Sequence, residues 1–124
     1  MRIQLRGHSA ARLKRRAKIK ARIRRKIVGT TQRPRISVFR SHKFLYVQCV
    51  NDETRSTLVG MSSRKRKELE GQKPVECAKK FGAIVGLELK QKGVQACVFD
   101  RSGYVYHGRI QAFADGLRES GIKI

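Results

Sequence analysis

The sequence predicts an α/β domain, one mixed sheet with helices packed on it, behind a strongly basic N-terminal arm. Three observations predict it. Short segments rich in β-branched and aromatic residues begin at Arg35, an amphipathic helical pattern opens at Pro74, and a further apolar strand leads into a second amphipathic helix. The chain has 124 residues, enough for one domain with a modest core.

The arm, residues 1–28, comes first. "SAARLKRRAKIKARIRRKI" (residues 9–27) has helical spacing, with Ser9 as N-cap and Leu13, Ala17, Ile19, Ile23 and Ile27 at i+4 or nearby positions. Ten of these nineteen residues are Lys or Arg. Like charges at i,i+4 oppose an isolated helix, so the arm is expected to be disordered or frayed until phosphates neutralise it. "GTTQRP" (residues 29–34) reads as a hinge into the domain, residues 29–124.

Within the domain, "RISVFRS" and "KFLYVQCV" read as a hairpin around a polar turn, and "TRSTLVGMSS" as a third strand. "RKRKELEGQK" is a charged loop. Pro74 opens a helix to about Gln91, with Val75, Ala78, Phe81, Gly82, Val85 and Leu89 on one face and Gly93 as terminator. "VQACVFD" is a buried strand by its continuous apolar run. Ile110, Phe113, Ala114 and Leu117 mark the last helix, closed near Gly121.

Charge narrows the function. The thirty Lys and Arg against nine Asp and Glu give a formal charge of +21. Residues 1–51 hold sixteen of those cations and no carboxylate. A block of like charge calls for a polyanionic partner, nucleic acid or an anionic membrane. No apolar run approaches the length of a membrane span, and the Arg-rich, acid-free N-terminus also has the look of a transit peptide. A functional tail is the better reading, because the basic character continues past Arg35. Cys49, Cys77 and Cys97 are odd in number, lack C-x-x-C spacing and sit in apolar contexts. That pattern argues for buried, reduced thiols in a reducing compartment, against a disulfide framework and against a zinc site.

The densest stretch is "FDRSGYVYHGRIQAFADGLRE" (residues 99–119). The helix after Pro74 carries Glu76 in its first turn, where a carboxylate meets the positive helix end. The last helix begins with Gly108, Arg109 and Ile110 and has no such anion. Flanked by Arg101, His107 and Arg109 and opened by Gly103 and Gly108, that helix start suits an external phosphate. Tyr104 and Tyr106 suit stacking on unpaired bases, or simply packing on the domain. Asp100 stands at a strand end with no carboxylate in the first two strands to complete a metal cluster, and no nucleophile elbow or P-loop is present. An enzyme is not expected; neither a catalytic residue, a metal nor a cofactor is assigned.

Taken together, "GTTQRPRISVFRSHKFLYVQCVND" (residues 29–52), "VECAKKFGAIVGLELKQKGV" and "VFDRSGYVYHGRIQAFADGLRESGIKI" (residues 98–124) resemble a bacterial-type large-subunit ribosomal protein of the L-eighteen family, over about residues 10–124. The resemblance implies a fold related in topology to ribonuclease H but without its catalytic carboxylates. It also implies a structural role: binding 5S ribosomal RNA and helping attach it to the central protuberance of the large subunit. The implied partners are 5S and 23S-type ribosomal RNA and other 5S-associated ribosomal proteins, with the chain monomeric within the ribosome. No membrane and no small-molecule substrate are implied. The implied location is the cytoplasm, on a bacterial ribosome, with an organellar one left open.

The RNA-binding residues so expected are, in the arm, Arg12, Arg15, Arg16, Arg22, Arg24, Arg25 and Lys26. In the first-hairpin region they are Arg33, Arg35, Arg40, Ser41, His42 and Lys43. In the loop they are Arg101, Ser102, Gly103, Tyr104, Tyr106, His107, Gly108 and Arg109. Ser102 stands where a second glycine is common in the family, at a small cost if φ there is positive. Residues 56–73 depart from the usual pattern. The alternative is a general basic nucleic-acid-binding protein without 5S preference.

Overall fold

A computed structural model describes residues 7–64 and 66–124 of the chain. Helix α1 runs Gly7–Lys26, followed by strands β1 (Arg35–Arg40), β2 (Leu45–Asn51) and β3 (Ser56–Ser62). A 3-10 turn at Lys67–Leu69 leads to helix α2 (Pro74–Gln91), strand β4 (Val98–Asp100) and helix α3 (Gly108–Glu119). The sheet order is β3-β2-β1-β4, with the two hairpin pairs antiparallel and β4 parallel to β1.

Alternation along the strands assigns the two faces. Ile36 and Val38 of β1 pair with Cys49 and Val47 of β2, and all four are buried. They face α2 and α3, which contribute Phe81, Val85, Leu89, Ile110, Phe113 and Leu117 to one core. Residues one position out of phase, Ser37 and Phe39 on β1 and Tyr46 and Gln48 on β2, lie on the opposite, open face.

The two helices approach closely because glycines meet backbone. A Cβ on Gly82 would collide with the Phe113 carbonyl, and one on Gly116 with the Lys79 carbonyl. Mid-helix glycine costs about 0.8–1 kcal/mol relative to alanine, and the close crossing explains why two such positions stand there.

Several details differ from expectation. Helix α1 begins at Gly7, two residues ahead of the proposed Ser9 cap. It is continuous to Lys26 and ends against the domain, where Arg24 Nη1 donates to the Ile27 carbonyl and Asp52 Oδ2. Val75 is half-exposed rather than core, and the run "VQACVFD" pairs as a strand only over Val98–Asp100. Its first half is held instead by the C-terminal tail: Cys97 N–H donates to the Lys123 carbonyl at 2.8 Å and Lys123 N–H to the Gln95 carbonyl at 3.0 Å. The charged loop after β3 is not wholly solvated, since Leu69 is buried.

Candidate nucleic-acid interface

Three segments far apart in sequence meet at one end of β1. Arg109 Nη2, at the start of α3, donates to the Ser41 carbonyl of the β1–β2 turn at 2.8 Å. Burial, and then the neighbouring Arg40, push the Arg109 guanidinium pKa down. Two like charges are thus held close together, as a polyanion site requires. From the arm, Arg16 Nε donates to the Ser102 carbonyl at 3.3 Å, and its guanidinium lies 4.2 Å from the Tyr104 ring centroid. The Arg40 guanidinium lies 5.1 Å from the same centroid. Arm, turn and loop therefore form one basic surface.

The loop's path depends on two successive residues with positive φ, Ser102 at 55° and Gly103 at 83°. A Cβ on Gly103 would meet the Arg16 carbonyl at 2.5 Å, so glycine is needed both for the backbone and for the arm's approach. Ser102 occupies its strained conformation with compensation: its N–H donates to Asp100 Oδ1 at 2.8 Å, and its hydroxyl shares a hydrogen bond with Ser37 at 3.0 Å. Arg101 closes the turn by donating to the Tyr104 carbonyl. His107 precedes α3 in an extended conformation, supplies no side-chain cap, and is followed by a first turn without a carboxylate.

The expected RNA-binding residues divide by what already holds them. Arg12, Arg15, Arg22, Arg25, Lys26, Arg33, Arg40, His42, Lys43, Tyr106 and His107 are exposed. Gly108 is half-buried, and Ser41 spends its hydroxyl on the Phe44 backbone within the turn. Arg33 sits at the opposite end of β1 from Arg40, away from the convergence. Ser102 and Gly103 are buried. Tyr104 is 8 % exposed, and its hydroxyl bonds both the N–H and the carbonyl of Arg40. Of the two tyrosines, only Tyr106 faces outward, its hydroxyl accepting from Arg118 at 2.8 Å.

Arg35 is not a free cation. It clasps the sheet, donating from Nε and Nη2 to the two oxygens of Asp52 at 3.1 and 3.2 Å, and from Nη1 to Asp100 Oδ2 at 3.2 Å. Burial works against its charge, but the two carboxylates outweigh it and the Arg35 pKa is raised. Asp100 is fully buried, and both its oxygens are engaged, by Arg35 and the Ser102 N–H. It is a structural link between β1 and the loop, and its partner is Arg35 rather than the adjacent Arg101.

Asp52 is the residue that sequence reading passed over. Besides Arg35 it accepts from the Gly29 N–H at 2.6 Å and from Arg24, so it joins arm, hinge and sheet. The Arg35 hydrogen bonds, with help from Gly29 and Arg24, hold its carboxyl at about 2. A signal existed: Asp52 is the first carboxylate of the chain, after sixteen cations.

No helix among the described residues is long and apolar enough to cross a membrane. Residues 10–124 match the family model for ribosomal L18 of archaea, bacteria, mitochondria and chloroplast. The large ribosomal subunit protein uL18 of Syntrophus aciditrophicus is 47% identical over 111 residues, covering 87% of this chain and 92% of that protein. The uL18 of Wolinella succinogenes is 49% identical over 107 residues, 86% of this chain and 88% of its own. That of an Exiguobacterium species is 47% identical over 109 residues, 87% and 91%. With the match spanning the whole domain and most of α1, the chain belongs to the ribosomal L18 family and is a ribosomal protein of the bacterial type.

Proposed function

We propose that this protein is a structural constituent of the large ribosomal subunit that binds 5S ribosomal RNA and helps attach it to the central protuberance, touching 23S-type RNA and other 5S-associated proteins from the same position. The observation that carries the reading is the convergence of arm, β1–β2 turn and loop 101–109 on one basic surface. Family membership supports it, as does the sheet order with its single parallel pair, which is compatible with a ribonuclease-H-like topology.

Two parts of the surface do different work. The exposed arginines and lysines of α1 supply long-range attraction and a salt-sensitive affinity through counterion release. The turn and loop, held by Arg109 and by the Asp100–Ser102 link, present His42, Lys43, Tyr106 and His107 on a rigid support for shape-dependent recognition. Asp100, locked by Arg35, is unavailable for metal-assisted hydrolysis.

The test is a competition titration at one stated salt concentration, with 5S RNA against tRNA and a scrambled RNA of equal length. A preference of about ten-fold or more, some 1.4 kcal/mol, supports 5S recognition. Equal affinity of folded protein for all three would favour the general nucleic-acid binder.

A further inference from the structure

The open face of the sheet carries two aromatic rings. Phe39 and Tyr46 are a cross-strand pair on β1 and β2, with centroids 5.9 Å apart and planes at 47°. Phe39 is 50 % exposed, although β1 has a sheet neighbour on either side. That half-exposure leaves part of the Phe39 ring surface open to a third planar group.

The surroundings are built for access. Gln48 pairs with Gly60 across β2–β3, and a Cβ added to Gly60 would meet nothing within 4 Å, so the sheet is uncovered at that point beside the rings. On the other side α1 stands over the same face, leaving a cleft of about 260 Å³ between Lys20, Arg16 and the two aromatics, with Ser37 and Gln48 in its floor. The Arg16 guanidinium is 5.8 Å from the Phe39 centroid.

We propose that the Phe39–Tyr46 pair, with the cleft beneath α1, seats the bases of unpaired nucleotides whose phosphates lie on Arg16 and Lys20. This deepens the RNA-binding reading and rests on it. Stacking on aromatic rings needs a π surface within a cationic groove, and both are present here. Tyr104, the buried tyrosine of the loop, has its ring occupied by two guanidinium groups instead. Charge selects the occupant: no carboxylate occurs before Asp52, so the described α1, β1 and all of β2 place no negative charge of their own against a polyanion. Ser37 and Gln48 are placed to bond base edges. An unpaired nucleotide supplies the flat apolar body and the negative charge together.

The experiment uses the full chain with a short single-stranded RNA carrying one 2-aminopurine, and a blunt RNA duplex with the same number of phosphates. Binding of the single strand is expected to quench 2-aminopurine. Phe39→Leu, which keeps apolar bulk and removes the ring, is expected to weaken single-strand binding about five-fold or more. Duplex affinity and salt slope should stay unchanged. Equal loss on both RNAs, or no loss in protein of unchanged melting temperature, overturns the proposal. Should Phe39→Leu not fold, photocrosslinking of the parent chain with a 4-thiouridine RNA decides: adducts on Phe39 or Tyr46 support the platform, adducts confined to the turn at residues 40–43 and to residues 101–109 overturn it. Phe39-dependent binding of polyglutamate in place of RNA would assign the face to an acidic protein and also overturn it. The 5S preference, measured separately, keeps the two readings apart, since either can fail while the other stands.

Discussion

Replacing Arg35 with methionine separates a structural arginine from an RNA-binding one. The guanidinium makes three hydrogen bonds of 3.1–3.2 Å to Asp52 and Asp100, and its side chain is 13 % exposed. Without it, fully buried Asp100 keeps only the Ser102 N–H. Breaking a buried ion pair from one side costs about 3–5 kcal/mol, chiefly because a buried charge is left uncompensated. At roughly 3–4 °C per kcal/mol for a chain of this size, the melting temperature should fall by about 9–20 °C. The double substitution Arg35→Met with Asp100→Asn removes the stranded charge and should recover about half of that loss. The assay is thermal unfolding by circular dichroism, run beside RNA titrations at several salt concentrations. Folded Arg35→Met protein, assayed well below its transition, should retain the parent's salt slope. A melting temperature within about 3 °C of the parent, together with a salt slope reduced by about one, would refute the clasp and return Arg35 to the RNA-contacting set.

Acid stability should report on Asp52. Its folded carboxyl sits at about 2, below the ordinary value, so its contribution is complete above about pH 4 and is lost as pH falls through about 2. The unfolding free energy of the parent, measured by urea titration at each pH, should fall by about 1–2 kcal/mol over that window, and Asp52→Asn should lose none of that part. Gly116→Ala, whose new Cβ would strike the Lys79 carbonyl, should destabilise by about 1–3 kcal/mol despite the better helix former; a rise in urea midpoint would disprove the close α2–α3 crossing. Deleting residues 1–26 should weaken binding to every RNA tested and flatten the salt slope, with the order of preference among RNAs kept. Tyr104→Phe should cost about 1 kcal/mol of stability through the lost bonds to Arg40, whereas Tyr106→Phe, with its hydroxyl at the surface, should cost almost none.

The element order was legible because each signal was local. Alternation marked β1 and β2, Pro74 and Gly93 bounded α2, and the apolar face of α3 was regular. What escaped depends on contacts across long stretches of chain. Arg35 looks like Arg33 two residues earlier, and nothing nearby tells that it meets carboxylates 17 and 65 residues on. Tyr104 and Tyr106 are equivalent in an alternating pattern; the positive-φ pair at Ser102 and Gly103 turns one inward against Arg40 and leaves the other outside. The helical pattern of the arm was visible, but its seat was not, because Arg16 docks through a carbonyl and an aromatic ring rather than through an apolar stripe. Phe39 sits in a run that reads as ordinary strand, and only the register shows that it faces away from the core.

The central claim is that arm, turn and loop act as one RNA-binding surface. Its most direct test is a crosslinking map of the full chain bound to 5S RNA, read by mass spectrometry of the adducted peptides. Adducts are expected on α1 around Arg12 and Arg15, on the turn from Arg40 to Lys43, and on Tyr106 or His107. Adducts concentrated instead on the outer face of α2, around Leu87 and Lys90, would contradict it.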